Sequence, residues 1–171
     1  MEVVPVEKTD IMSKNYWGPR IWCILHTLTC APSMGKTKNV VLARDERADW
    51  LQLLKALGQL MPCDRCKQHY REWFTAAGIL KECMYVPDLQ EYLRGAIYDL
   101  HCSANLDQRR EPTPVRYEDL SATYPPVKIT PIVQELESVW VRGLELRMIP
   151  IEPLRVWRRC VLQLAGLYGL T

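Results

Sequence analysis

Hydrophobic residues recur every three or four positions in six stretches of the chain, which is the spacing of a buried helix face. No stretch alternates apolar and polar residues in the way that a half-buried strand does. The six predicted helices are 18–31, 43–61, 63–77, 88–106, 132–144 and 154–168. The sequence therefore predicts an all-α protein, with four or five helices packed as a bundle and a helical C-terminal extension.

Proline, glycine and capping residues mark where these helices begin and end. Pro19 suits the first turn of the first helix, Gly78 suits the end of the third, and Asp88 suits the cap of the fourth. The proline-containing segments 111–114 and 124–126 interrupt the helical pattern. We therefore expect a loose arm over 1–14, a helical domain over 15–112 and the extension over 113–171.

Composition and charge exclude several classes of function. The chain of 171 residues carries a net charge of +2 and has no apolar run near the ~20 residues that a membrane span needs. So small a charge gives no electrostatic surface for nucleic acid or for a membrane. The first residues match neither a secretory signal nor a mitochondrial presequence, so we expect a cytoplasmic protein.

The main chemical motif is a Cys-x-x-Cys pair, Cys63 and Cys66, which follows Pro62 at the predicted start of a helix. At a helix start, free N–H groups and the positive end of the helix dipole favour a thiolate. Two intervening residues also keep the sulfurs close enough to bond and leave one of them exposed to a partner. The pair is therefore predicted to be a redox-active dithiol.

A zinc site is the alternative interpretation of the same residues. Cys63, Cys66 and His69 would supply three ligands, with His101 or Cys102 as the fourth. Against it, the chain has no second Cys-x-x-Cys or His-x-His at the spacing of a zinc finger. The odd total of seven cysteines, without regular spacing, also argues against a disulfide framework of the secreted type.

Two further pairs of planar or polar side chains stand four residues apart on predicted helices. Trp22 and His26 lie on the first helix, and His101 and Asn105 continue the apolar row of the fourth. Each pair alone is consistent with ordinary core packing, although a buried His and Asn need a polar partner. Together with the dithiol they suit a flat aromatic cofactor, held by stacking and by hydrogen bonds to its polar edges.

These three stretches resemble the Erv/ALR family of FAD-linked sulfhydryl oxidases, especially the short forms encoded by large DNA viruses. The resemblance covers residues 17–105 and consists of Trp17-Gly18-Pro19-x-x-Trp22-x-x-Leu25-His26-Thr27, Pro62-Cys63-x-x-Cys66-x-x-His69 and His101-x-x-x-Asn105. It implies a conical bundle with FAD in its mouth, usually a homodimer. It further implies an enzyme that oxidises thiols to disulfides and passes the electrons to dioxygen, giving hydrogen peroxide.

The resemblance also implies roles for individual residues. Cys66 would be the sulfur against the flavin ring, and Cys63 would meet the substrate. The implied FAD contacts, with Arg110 at the phosphates, are Gly18, Arg20, Trp22, His26, Cys66, His101, Asn105 and Arg110. The expected electron donor is a separate dithiol protein, thioredoxin-like or a two-cysteine carrier, and no metal is implied.

The chain departs from the family pattern in three places. Thr75 and Tyr98 stand where the family has the cysteines of a second, helix-linking disulfide. His101-Cys102-Ser103-Ala104-Asn105 replaces the family's His-Asn-x-Val-Asn, so one polar contact is lost or replaced. The tryptophan that usually follows the fourth helix is missing, and Tyr117 or Tyr124 is its predicted substitute.

Several alternatives stay open at this point. The competing functions are a non-enzymatic helical module with the zinc site, and a degenerate oxidase that keeps the fold as a scaffold. Trp140 and Trp157 lie on amphipathic faces of the extension, which fits either packing on the bundle or a dimer or partner contact. Cys160 is predicted to be a small hydrophobic residue rather than part of a shuttle pair, so electrons would arrive directly from the donor.

Overall fold

The structure is a computed structural model that describes residues 10–110 and 115–171. These residues form eight α-helices and one 3₁₀ turn, Tyr117–Asp119, and contain no strand, so the predicted all-α bundle is confirmed. The helices are α1 (Lys14–Thr29), α2 (Val40–Leu60), α3 (Asp64–Ala76), α4 (Ile79–Tyr85), α5 (Leu89–Asp107), α6 (Leu120–Thr123), α7 (Thr130–Glu145) and α8 (Ile151–Tyr168). None of the described helices combines the length and the apolar character needed to cross a bilayer.

The first helix begins earlier than the sequence predicts. The hydroxyl of Ser13 caps it by accepting a hydrogen bond from the backbone N–H of Asn15 at 3.3 Å. Pro19 consequently lies inside α1 and not in its first turn, so that prediction is wrong. The predicted arm falls largely on residues 1–9, which lie outside the described residues, as does the predicted break at 111–114.

Two other boundaries have clear local causes. Asp88 caps α5 as predicted, because its carboxylate accepts from the N–H of Glu91 at 2.9 Å. After α3, Gly78 adopts a φ of +67° and turns the chain directly into α4, a short helix that the sequence analysis did not predict. Burial of Ile79 and Cys83 holds this short helix on the core.

The C-terminal helices share one core with the rest of the chain. Helix α8 packs along α2, and α7 packs against α1. Trp140 and Trp157 are fully buried and meet edge to face, with ring centroids 4.1 Å apart. The amphipathic faces of the extension that carry these tryptophans therefore pack on the bundle.

A buried hydrogen-bond network fixes α8 on α2. Tyr168 donates its hydroxyl to Glu46 Oε1 at 2.6 Å, and Trp50 Nε1 donates to the Tyr168 hydroxyl at 2.8 Å. The backbone N–H of Gly35 donates to the same Glu46 oxygen at 2.8 Å. We call Glu46, Trp50 and Tyr168 the α2–α8 anchor.

Candidate functional site

Cys63 and Cys66 form a disulfide at the start of α3, with their Cα atoms 5.2 Å apart. Cys63 is the capping residue of the helix, and its Sγ accepts a hydrogen bond from the backbone N–H of Cys66 at 3.2 Å. Both cysteines are half-buried. Because the disulfide lies at the helix start, a backbone N–H group of the helix points at the Cys63 sulfur.

The start of α3 is held from two sides. Arg65 forms an ion pair with Asp107 at the end of α5, with Nη2 and Oδ1 2.7 Å apart. On the other side, Lys67 Nζ donates to the carbonyl of Met148 at 3.1 Å, in the connection between α7 and α8. The C-terminal extension therefore reaches the edge of the dithiol, a placement that no local sequence pattern indicates.

A pocket of about 610 Å³ lies beside the disulfide, between α1, α3 and α5. Cys66 contributes to its wall, whereas Cys63 does not. Aromatic and polar residues share the wall, and those that bear on function are Lys14, Trp17, Gly18, Trp22, Cys66, His69, Tyr70, His101, Asn105, Arg110 and Tyr124. The volume falls within the range of about 300–1,000 Å³ that is typical of small-molecule and cofactor sites.

One wall of the pocket contains a stack of aromatic rings. Trp22 stacks on His101 with ring centroids 4.2 Å apart and an interplanar angle of 11°. Behind them, His26 Nε2 lies 3.0 Å from His101 Nδ1, and His26 is completely buried. Tyr124 covers the ring of His26 at a centroid distance of 4.7 Å. Residues from α1, α5 and the segment after α6 therefore meet at one place.

The two imidazoles are electrically neutral near pH 7. Burial lowers the pKa of His26 to about 3, with further lowering by His101 and by the positive charge of Arg94. Burial also lowers the pKa of His101 to about 4. Since both rings are neutral, a single proton occupies the hydrogen bond between them. The second nitrogen of His26, Nδ1, is buried and has no hydrogen-bond partner among the described residues.

The structure brings most of the predicted site residues to this pocket. Those that line it are Gly18, Trp22, Cys66, His101, Asn105 and Arg110. His26 does not line the pocket but lies behind His101. Of the two proposed substitutes for the missing tryptophan, Tyr124 lies in the pocket wall, whereas Tyr117 packs against Tyr98 outside it.

Arg20, unlike His26, lies away from both the pocket wall and the aromatic stack. Its Nε forms an ion pair with Glu135 of α7 at 2.7 Å, and its Nη1 donates to the carbonyl of Tyr16 at 2.7 Å. A residue two positions from Trp22 on a helix points to nearly the opposite side. Arg20 therefore joins α1 to α7 and does not line the pocket.

A second cleft, of about 470 Å³, adjoins the pocket at the ends of α1 and α5. Its charged lining residues are Lys14, Arg65, Arg109, Arg110 and Asp107. Arg110 and Lys14 line both cavities, and Arg110 also donates to the side-chain oxygen of Asn15. With four cationic residues and one carboxylate, this cleft favours an anionic group at the polar end of the pocket. Lys14 is a site residue that the sequence analysis missed, since no motif marks it.

The alternative zinc ligands do not form a cluster of three or more in the described part of the chain. Within residues 10–110 and 115–171, no three His, Cys, Asp or Glu side chains lie close enough together to hold a metal ion. His69 Nε2 instead lies 3.1 Å from the hydroxyl of Ser103. Cys102 is a separate, half-buried thiol.

Comparison of the chain with protein-family models, with curated proteins and with solved structures gives no significant match. The family resemblance noted from the motifs therefore stays a prediction. The geometry of the pocket and its disulfide is what bears on function.

Proposed function

We propose that this protein is an FAD-linked thiol oxidase, in line with the Erv/ALR resemblance of its motifs. The observation that carries the proposal is the position of the Cys63–Cys66 disulfide at the edge of the aromatic pocket. Cys66 belongs to the pocket wall and Cys63 does not. One sulfur can therefore face a bound cofactor while the other is left for a substrate.

The residues of the pocket fit FAD. Flat apolar side chains such as Trp22 and Tyr70 provide surfaces for an aromatic ring system. His101 and Asn105 provide hydrogen-bonding groups at the wall formed by α5. Arg110 and Lys14 extend from the pocket into the cationic cleft, where the phosphates would be held. A pocket that changes from aromatic to cationic along its length suits a nucleotide cofactor.

The chain's own chemistry begins with thiol–disulfide exchange. A thiolate of a reduced dithiol partner attacks Cys63 Sγ, the Cys63–Cys66 bond breaks, and Cys66 leaves as a thiolate. The partner's second thiol, as its thiolate, then attacks the partner sulfur of the mixed disulfide and releases Cys63. The partner has lost two electrons and two protons as its disulfide forms, and Cys63 and Cys66 have gained the two electrons. A flavin bound in the pocket would take these two electrons from the dithiol, so that the Cys63–Cys66 disulfide forms again. The flavin would then pass the electrons to dioxygen, which gives hydrogen peroxide.

The helix start assists the exchange at Cys63. The backbone N–H of Cys66 that donates to Cys63 Sγ stabilises negative charge on this sulfur, as does the positive end of the α3 dipole. Thiols with a lower pKa are better leaving groups in disulfide exchange. Cys63 is therefore well placed to be displaced when the partner resolves the mixed disulfide.

The proposal extends to partners and location. The electron donor is a separate protein with two thiols, and the oxidase acts as a homodimer in the cytoplasm or in a virion. There the enzyme would allow disulfides to form where thiols are otherwise kept reduced.

Purified protein tests the proposal. We expect stoichiometric FAD and dithiol-dependent oxygen consumption, with about 10³-fold less turnover in the Cys66→Ser variant because the electron path is interrupted. The matched control is Cys160→Ser, since Cys160 is a buried thiol on α8 outside the pocket. This control should keep its FAD and most of its activity.

The competing functions give different results in the same preparation. Colourless protein with one zinc per chain would support the helical zinc module built on Cys63, Cys66 and His69. Protein that binds FAD but consumes no oxygen with any dithiol would support a degenerate scaffold.

A further inference from the structure

The buried histidine behind the pocket has a geometry that no motif explains. His26 Nε2 lies 3.0 Å from His101 Nδ1, and burial keeps each ring neutral near pH 7. Only two arrangements of the shared proton are possible. Either His26 donates to His101, or His101 donates to His26.

The two arrangements differ in what they leave buried. If His101 donates, neutral His26 must carry its proton on Nδ1, which is a buried atom without a partner among the described residues. If His26 donates, its Nδ1 is unprotonated and buries only a lone pair. A buried N–H without an acceptor is the rarer and costlier of these two states. Donation from His26 is therefore favoured.

The charge of Arg94 supports the neutral state of His26 that both arrangements require. Arg94 is near enough to lower the pKa of His26, and its own Nε is a buried donor without a partner among the described residues. A positive charge near the ring disfavours a second proton on it, so His26 stays neutral. The rings of His101 and Tyr124 also pack on His26, and neither carries a charge near pH 7.

We propose that His26 is a positioning residue that fixes the tautomer of His101. By donating Nε2–H to His101 Nδ1, it makes His101 carry its own proton on Nε2, the nitrogen open to the pocket. Nε2 of His101 has no partner among the described residues and is not one of their buried unpaired atoms. The pocket wall therefore presents an N–H donor, held in place by the stack with Trp22, to a ligand that carries an acceptor atom.

The consequence for ligand recognition depends on the proposed function, whereas the tautomer itself does not. If FAD occupies the pocket, His101 recognises a hydrogen-bond acceptor on it, and His26 acts without touching the cofactor. Replacing His26 would then weaken FAD binding through a residue that does not line the pocket.

Nitrogen NMR of the full chain labelled with ¹⁵N-histidine measures the tautomers directly. The chain has only three histidines, so His69→Gln assigns the remaining signals to His26 and His101. We expect both of these rings to show a protonated Nε2 and a bare Nδ1 near pH 7. Protonated Nδ1 atoms on both rings, which the reverse donation would give, or a cationic ring would overturn the proposal.

Two substitutions of His26 test the positioning role. His26→Gln keeps a donor near the Nε2 position, and His26→Leu removes it at similar size. In His26→Leu we expect the His101 signals to move toward a mixture of tautomers, and in His26→Gln we expect them to stay close to wild type. His101 signals that stay unchanged in His26→Leu would contradict the role of His26.

The dissociation constant of FAD, measured from flavin fluorescence released on dilution of the purified protein, gives the second readout. We expect it to rise about tenfold in His26→Leu and less than about threefold in His26→Gln, since one hydrogen bond is at stake. If His26→Leu and wild type bound FAD with equal affinity while the tautomers were as expected, His26 would not act on FAD binding through His101. Protein without FAD but with the expected tautomers would reject the proposed function and leave the positioning role intact.

Discussion

Two buried polar clusters of this molecule differ in how completely their hydrogen bonds are made. In the α2–α8 anchor, the Trp50 N–H, the Tyr168 hydroxyl and the Glu46 carboxylate each have a partner within 2.8 Å. In the pair of His26 and His101, one nitrogen has no partner among the described residues and another opens to the pocket. A completed network stabilises and specifies a fold, whereas an incomplete one at a pocket indicates a place for a ligand.

The two clusters are also separate in space and in their effects. No residue of the anchor lines the pocket, and the anchor joins positions 122 residues apart, Glu46 and Tyr168. We therefore expect changes in the anchor to act on the free energy of unfolding. Changes in the histidine pair should act mainly on ligand binding and on the response to pH.

The largest expected effect on stability follows removal of the anchor's acceptor. Glu46→Ala leaves the Tyr168 O–H and the Gly35 N–H without their acceptor, and it should lower the free energy of unfolding by about 3 kcal/mol. Urea unfolding followed by circular dichroism measures this change. Glu152→Ala, which removes an exposed pair with Arg155, is the control and should change stability by less than about 0.5 kcal/mol. A loss below about 1 kcal/mol in Glu46→Ala would show that the anchor is not a stabilising network.

The next effect is a dependence of stability on pH that comes from the histidine pair. The unfolded chain binds protons on His26 and His101 near pH 6.5, whereas the folded chain does so only near pKa values of about 3 and about 4. Between the folded pKa values and pH 6.5, the unfolded state therefore binds more protons than the folded state. The contribution of the pair to the free energy of unfolding is complete above pH 6.5 and is lost as the pH falls toward 4. Each imidazole changes the free energy of unfolding by about 1.4 kcal/mol per pH unit in this range.

Urea unfolding at several pH values checks this slope. Between pH 6.5 and pH 5 we expect wild-type protein to lose at least about 2 kcal/mol through the pair. His26→Leu should have a slope smaller by about 1.4 kcal/mol per pH unit, while Tyr168→Phe should keep the wild-type slope. Equal slopes in wild type and His26→Leu would mean that His26 is protonated normally in the folded protein.

A smaller effect is expected from the hydroxyl of Tyr168 alone. Tyr168→Phe keeps the packing of the ring but leaves Trp50 Nε1 without its acceptor, so stability should fall by about 1.5 kcal/mol. The same variant should bind FAD with unchanged affinity, which a fluorescence titration measures. A change in affinity larger than about threefold would mean that the anchor affects cofactor binding, so that the two clusters are not independent.

The parts of this molecule that sequence predicts well depend on residues that are neighbours along the chain. The cap at Asp88 needs only Glu91, and the shared face of Trp22 and His26 needs only the helical repeat. Helix α4 escaped prediction because seven residues are too few to show a period. The early start of α1 at Ser13 was missed because Pro19 looked like a first-turn residue.

What sequence could not predict depends on distances between helices. That His26 contacts His101 follows from how closely α1 and α5 approach, which no spacing along the chain encodes. The bond of Lys67 to the Met148 carbonyl likewise brings together positions 81 residues apart. The motifs therefore indicated which residues surround the candidate pocket. Only the structure shows that His101 lines the pocket and that His26 lies behind it.

The smallest effect concerns Arg20, which the family resemblance assigned to the cofactor and the structure joins to Glu135. Since this pair is partly exposed, Arg20→Gln should lower stability by only about 0.5 kcal/mol and change the FAD dissociation constant less than about twofold. Arg110→Gln is the matched comparison, because it removes the same charge from a residue that lines both cavities. It should weaken FAD binding about fivefold or more, and more strongly at low salt, where a phosphate contact is less screened. If Arg20→Gln weakened binding as much as Arg110→Gln, the charge of α1 would act on the cofactor at a distance, and the position of a side chain in the pocket wall would not decide its role.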